Sequence, residues 1–171
     1  ISNNGIKFLE SIKGGLLVVD KFQNIFLYNF ESKTIVAHYN NYNDGIKSIS
    51  ITNDKRILAI AQSNNSIKLF DIGSNSMSEF IDGKWILPHI HYKKTFVLND
   101  SVTSFDFSPS DDLIISLMEN DTINYIDIIN NIIYEGSINS SKSINYTALS
   151  FIDDYNFMLG SKDGVITIHN I

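Results

Sequence analysis

His89 and His91 stand two residues apart, a spacing that puts two imidazoles on one face of an extended strand and could offer two nitrogens to a metal ion. Asp82 and Asp100 flank the segment, but no third ligand follows at a defined interval. The pair reads as exposed loop histidines, and no metal site is assigned. Asp111-Asp112 and Asp153-Asp154 are paired carboxylates, which can supply hard oxygen ligands to Ca²⁺ or a split pair of pKa values for acid/base work. Both occupy turn-like stretches, as does Asn53-Asp54, and there Asp and Asn bond their own backbone. A turn role is the expectation. Gly-x-Gly-x-x-Gly, Gly-x-Ser-x-Gly, Gly-Lys-Ser/Thr and His-Glu-x-x-His motifs are all missing. The chain has no cysteine, so thiol chemistry is excluded, and its single arginine, Arg56, makes an arginine-built site hard to assemble. No catalytic residue, metal ligand or cofactor is expected.

The elements around these residues are strands. Short runs of Ile, Val, Leu, Phe and Tyr alternate with Asn, Asp, Gly and Ser clusters, and no segment sustains an apolar period near 3.6 residues. The composition, 43% hydrophobic with 12% aromatics, suffices for a buried core. An internal repeat organises the strands. Residues 46–72 and 102–128 align without a gap, 146–171 repeats the scheme one residue shorter, and 6–30 repeats it more loosely. The repeats close at Phe30, Ile72, Ile128 and Ile171, at intervals of 42, 56 and 43 residues. Two intervals match the roughly 40 to 45 residues of a four-stranded propeller unit. The third is longer, and its excess lies between Asp71 and Val102.

These blocks resemble the WD40 family across essentially the whole chain. Phe107-Ser108-Pro109 matches that family's first-strand ending, with Ile51-Thr52-Asn53-Asp54 and Phe151-Ile152-Asp153-Asp154 in the equivalent places. The turn element is Lys162-Asp163-Gly164, replaced by Asn64-Asn65 and Asn120-Asp121 in the middle units. The closing dipeptides are Tyr28-Asn29, Phe70-Asp71, Ile126-Asp127 and His169-Asn170, none a literal Trp-Asp, and the family's Gly-His pair is missing. The repeats are therefore divergent, without the complete His/Asp tetrad that rigidifies a typical unit.

The resemblance implies an all-β propeller with four WD40-like blades, at about 1–43, 44–99, 100–143 and 144–171, forming part of a larger ring of about seven. The apolar runs 16–19, 57–60 and 113–117 are expected as inner strands facing a channel, and 33–38, 95–98 and 131–136 as outer strands. It also implies a non-catalytic scaffold that holds proteins or peptides in an intracellular multiprotein complex, in cytoplasm or nucleus. An RNA-associated propeller in a ribonucleoprotein, such as a ribosome-biogenesis complex, is the alternative, with a ligand-binding or enzymatic propeller behind it. A net charge of −6, from 13 basic and 19 acidic residues, argues against a general nucleic-acid footprint. No apolar run is long enough to span a membrane.

The stretch 74–95 interrupts the period and contains the only tryptophan. Aromatic and basic side chains on loops are frequent anchors of interfaces. Trp85, Leu87, His89, His91, Tyr92, Lys93 and Lys94 are the candidate partner-binding residues. The other reading, a longer strand and loop folded back on its own blade with Trp85 covering apolar surface, stays open.

Overall fold

The structure, a computed structural model, describes residues 5–39, 45–72, 90–138 and 144–171, together with the backbone of 79–81 and 84–86. Strands β1 (Ile6–Ile12), β2 (Gly15–Asp20), β3 (Ile25–Asn29) and β4 (Thr34–Tyr39) form the first sheet. Strands β5 (Ile46–Ile51), β6 (Ile57–Gln62) and β7 (Ser66–Asp71) begin the second. The chain then leaves that sheet for a hairpin, β8 (Glu79–Ile81) with β9 (Lys84–Ile86), and returns as its fourth strand, β10 (His91–Val97). The third sheet is β11 (Val102–Phe107), β12 (Leu113–Met118), β13 (Thr122–Asp127) and β14 (Ile132–Ser137). β15 (Tyr146–Asp153), β16 (Asn156–Ser161) and β17 (Ile166–Asn170) form a three-stranded fourth sheet. Every pairing is antiparallel, so each sheet is a simple meander, and no helix occurs among the described residues.

Strand periodicity explains how the sheets pack. In β6, Leu58 and Ile60 face the first sheet, meeting Leu17, Val19 and Leu27, while Ala59 and Ala61 face the third. There the small alanines leave room for Phe96, Phe105 and Phe107. In β12, Ile114 and Met118 pack towards the second sheet and Ile115 and Leu117 towards the fourth, against Tyr146, Phe157 and Leu159. A strand covered on both faces must be apolar at successive positions.

That requirement corrects the expectation for the apolar runs. They are β2, β6 and β12, the second strands, each paired on both sides within its own sheet. The innermost strands are β1, β5, β11 and β15, which touch one another from sheet to sheet and carry polar residues on their exposed faces. A continuous apolar run records burial on both faces, and the second strand is the position that has it.

Turn chemistry follows the repeat. The turn after each second strand holds a residue in the left-handed region: Gln23 (φ 68°), Asn65 (58°), Asp121 (61°) and Gly164 (81°). Glycine adopts that conformation without strain and Asn or Asp tolerate it best among the others, which accounts for the Asn-Asn, Asn-Asp and Asp-Gly series in the sequence.

Candidate interaction surface

Carboxylates hold the sheets to one another. β11 lies between β5 and β15, and the Asp106 side chain accepts hydrogen bonds from Ser50 Oγ (3.1 Å), Ser150 Oγ (3.2 Å) and the Phe151 amide (3.2 Å). It thus joins three sheets at their inner strands. At the first turns of the third and fourth sheets the same device recurs. Asp111 accepts the amides of Asn53 (2.6 Å) and Asp54 (3.0 Å) from the preceding sheet, and Asp154 accepts the Ser110 amide (2.8 Å). Their sequence neighbours act locally: Asp112 accepts the hydroxyls of Ser108 and Ser110, and Asp153 accepts the Tyr155 amide and Asn156 Nδ2. The Asn156 and Tyr155 donors hold the Asp153 carboxyl below the usual carboxylate range. The paired carboxylates are turn residues, as the sequence suggests, and two of them also staple neighbouring sheets.

On β1, burial pushes the Glu10 carboxyl up, with Lys55 pulling it down and Asp106 adding to the rise. Lys7 donates to the Ile46 carbonyl and lies over the Phe8 ring (5.1 Å), and burial and then Lys47 lower its pKa. These groups line inner strands. Among the described residues no three His, Cys, Asp or Glu side chains converge on a metal-sized site.

The sequence-predicted partner residues divide into two sets. Leu87 and His89 lie outside the described residues, and Trp85 is described only as backbone on β9, paired with Phe80. His91, Tyr92, Lys93 and Lys94 are not in an excursion. They form the start of β10, with His91 opposite Asp71 and Tyr92 opposite Phe70. The outer strand therefore begins four residues before the expected Thr95, because pairing with β7 extends to the end of that strand. Tyr92 is 60% exposed, rests edge-on against Phe70 (6.1 Å) and reaches Thr95 Oγ1 through its hydroxyl (3.1 Å). Lys93 is 3.6 Å from Asp71, and Lys94 lies 4.8 Å from the Phe96 ring centre. Both lysines thus have partners in their own sheet.

Hollows among the described residues include an apolar and a polar one. An apolar one of about 110 Å³ lies between the first two sheets, lined by Ile25, Tyr39, Leu58, Ile60, Phe70 and Ile90. An open cleft of about 270 Å³ is bounded by Asp112, Leu113, Asp127, Ile129 and Asn130 at the third sheet's end. Sequence reasoning missed this cleft and the bridging role of Asp106. The signal for Asp106 was a repeat column: Ser50, Asp106 and Ser150 occupy the same register position of successive units.

Four meanders stacked face to face, inner strand against inner strand, constitute part of a β-propeller. Comparison with known proteins specifies its kind. The solved structure of U3-55K superposes on the entire chain with a TM-score of 0.76 at 14% identity, and the crystal structure of RRP9 WD40 repeats with 0.75 at 14%. The chain spans 50% and 49% of those proteins. No family model and no curated protein matches the sequence. The chain has the fold of a WD40-type propeller segment, and at this identity the likeness shows the fold alone.

Proposed function

We propose that the chain is a non-catalytic scaffold, a WD40-type subunit of an intracellular multiprotein complex that holds proteins or peptides on its rim. The observation that carries this reading is the use made of its polar groups. The carboxylates best placed for chemistry are engaged in turns and between sheets, whereas the third and fourth strands of the second sheet are joined by a long connection, 73–90, whose described hairpin β8–β9 forms a separate sheet. Beside its return stands Tyr92, an exposed aromatic on a rigid strand. The proposed contact comprises Trp85, Leu87 and His89 with His91, Tyr92, Lys93 and Lys94.

We propose also that further sheets continue the ring to about seven. The outer face of the fourth sheet supports this, since Met158, Ile166 and Ile168 are 37%, 71% and 68% exposed there. The equivalent faces of the second and third sheets are covered by a neighbour.

The test is affinity purification with Trp85→Ala and Tyr92→Ala together. Loss of partners at an unchanged melting temperature supports the contact, and full retention overturns it. Partners retained through nuclease treatment separate a protein complex from an RNA-dependent one.

A further inference from the structure

The three fourth strands treat their free edges differently. β10 carries Lys93 and Lys94 and breaks register between Tyr92 and Lys94. β4 breaks register where Leu27 pairs with Ala37 but Tyr28 with Ile35, leaving Val36 as an extra residue. Lysines and bulges of this kind are how sheets discourage a further strand from adding. β14 has neither. It pairs with β13 without interruption from Asp127↔Ile132 to Thr122↔Ser137 and shows Ile132, Ile133 and Tyr134 at 42%, 36% and 53% exposure. β17 is not comparable, since its repeat position is that of a third strand, and its counterparts β3, β7 and β13 are all covered.

The cleft of Asp112 and Asp127 opens at the end of the sheet where β14 begins, because Asp127 is the register partner of Ile132. Asn130's amide and side chain, with the Ile129 amide, keep the Asp127 carboxyl below the usual range, so it stays charged. Neither carboxylate forms an ion pair with a described residue. The protein's net charge of −6 reinforces the local sign.

We propose that β14 is a strand-addition site for an extended, basic peptide. The peptide pairs antiparallel to β14, continuing the meander, and lays apolar side chains along Ile133 and Tyr134. Its C-terminal end arrives beside Ile132, and an arginine or lysine at or just past that end turns over residues 128–131 into the carboxylate cleft. Main-chain bonds supply affinity, and the end charge supplies direction and selectivity. The site is on the third sheet and does not depend on the connection 73–90.

Labelled eight-residue peptides of alternating valine and threonine, ending in two arginines, two glutamines or two glutamates, provide the probes for fluorescence anisotropy with the whole chain. The arginine peptide is expected to bind at least ten-fold more tightly than the glutamate peptide. Ile133→Lys with Tyr134→Lys, which copies the guard on β10 at two exposed positions, should weaken it at least ten-fold with the thermal melt unchanged. Asp112→Asn retains an acceptor for Ser108 and Ser110 and should erase most of the arginine-over-glutamine preference. The proposal is overturned if no peptide binds at millimolar concentration, or if the double-lysine variant binds as well as the parent. It is equally overturned if light scattering finds a dimer of the chain that the double-lysine variant abolishes, which would assign the edge to a second copy. None of these variants touches 73–90, so failure here leaves the scaffold proposal standing.

Discussion

Removing Asp106 should loosen three sheets at once, and its cost can be worked from its bonds. The carboxylate accepts three hydrogen bonds from other strands, two from serine hydroxyls and one from a backbone amide. A bond to a charged group contributes about 1.5–3 kcal/mol when buried, and an ordinary one about 0.5–1.5. Asp106 is only partly buried, so about 1 kcal/mol each is appropriate, and relief of its repulsion with Glu10 subtracts a little. Asp106→Ala should therefore lower stability by about 3 kcal/mol, within the usual range for a broken polar network. Asp106→Asn should cost about 1 kcal/mol, since its carbonyl still accepts and its amide can donate to hydroxyls that rotate to receive it. Urea unfolding followed by circular dichroism reads this directly: with m of about 1–3 kcal/mol/M, the alanine variant shifts the midpoint by about 1–3 M. Double-mutant cycles with Ser50→Ala and Ser150→Ala should each return about 1 kcal/mol of coupling. A loss below about 1 kcal/mol in Asp106→Ala, or zero coupling to both serines, would refute the bridging account.

Phe157 is 1% exposed, stacks on His169 (5.4 Å) and meets Tyr125 edge-on, so Phe157→Ala should cost about 3–5 kcal/mol by chemical denaturation. A β-carbon at Gly136 would lie 2.7 Å from the Tyr125 ring, so Gly136→Ala should lower stability by about 1–3 kcal/mol, and Tyr125→Ser should recover part of that in the double variant's thermal melt. Burial lowers the His169 pKa below its ordinary 6.5, so as pH falls through 6.5 the unfolded chain takes up a proton before the folded one does. The stability this group contributes is complete above 6.5 and declines as acid approaches the folded-state pKa. Melting curves across that range should show a slope that His169→Phe flattens, and an equal slope in the variant would exclude His169 as its source.

Features that depend on neighbours in sequence were legible before the structure. Asn65, Asp121 and Gly164 announce a turn because left-handed backbone selects such residues, and Asp111, Asp112, Asp153 and Asp154 announce another by their capacity to bond nearby amides. Features decided between sheets were not. The runs in β6 and β12 reveal double burial, yet sequence cannot separate a strand flanked within its own sheet from one at the axis. The start of β10 at His91 depends on where Phe70 and Asp71 find partners some twenty residues later. Asp111 looks like a turn residue and is one, but its two amide donors belong to the sheet before it.

The divergence of the closing dipeptides and the carboxylate staples belong together. No closing dipeptide is Trp-Asp and the sequence contains no Gly-His pair, and side chains that cross from sheet to sheet fix how neighbouring sheets sit. Asp106, Asp111 and Asp154 do this by bonding across sheets at the inner strands and the first turns. These bonds lie at the inner strands and one set of turns, and they engage the carboxylates in joints between sheets. The outer strands are released from that duty and can differ from one another, as β4, β10 and β14 do in bulges and charge. On the proposed scaffold role, partner selectivity is expected at the outer edges, where variation leaves the joints between sheets intact.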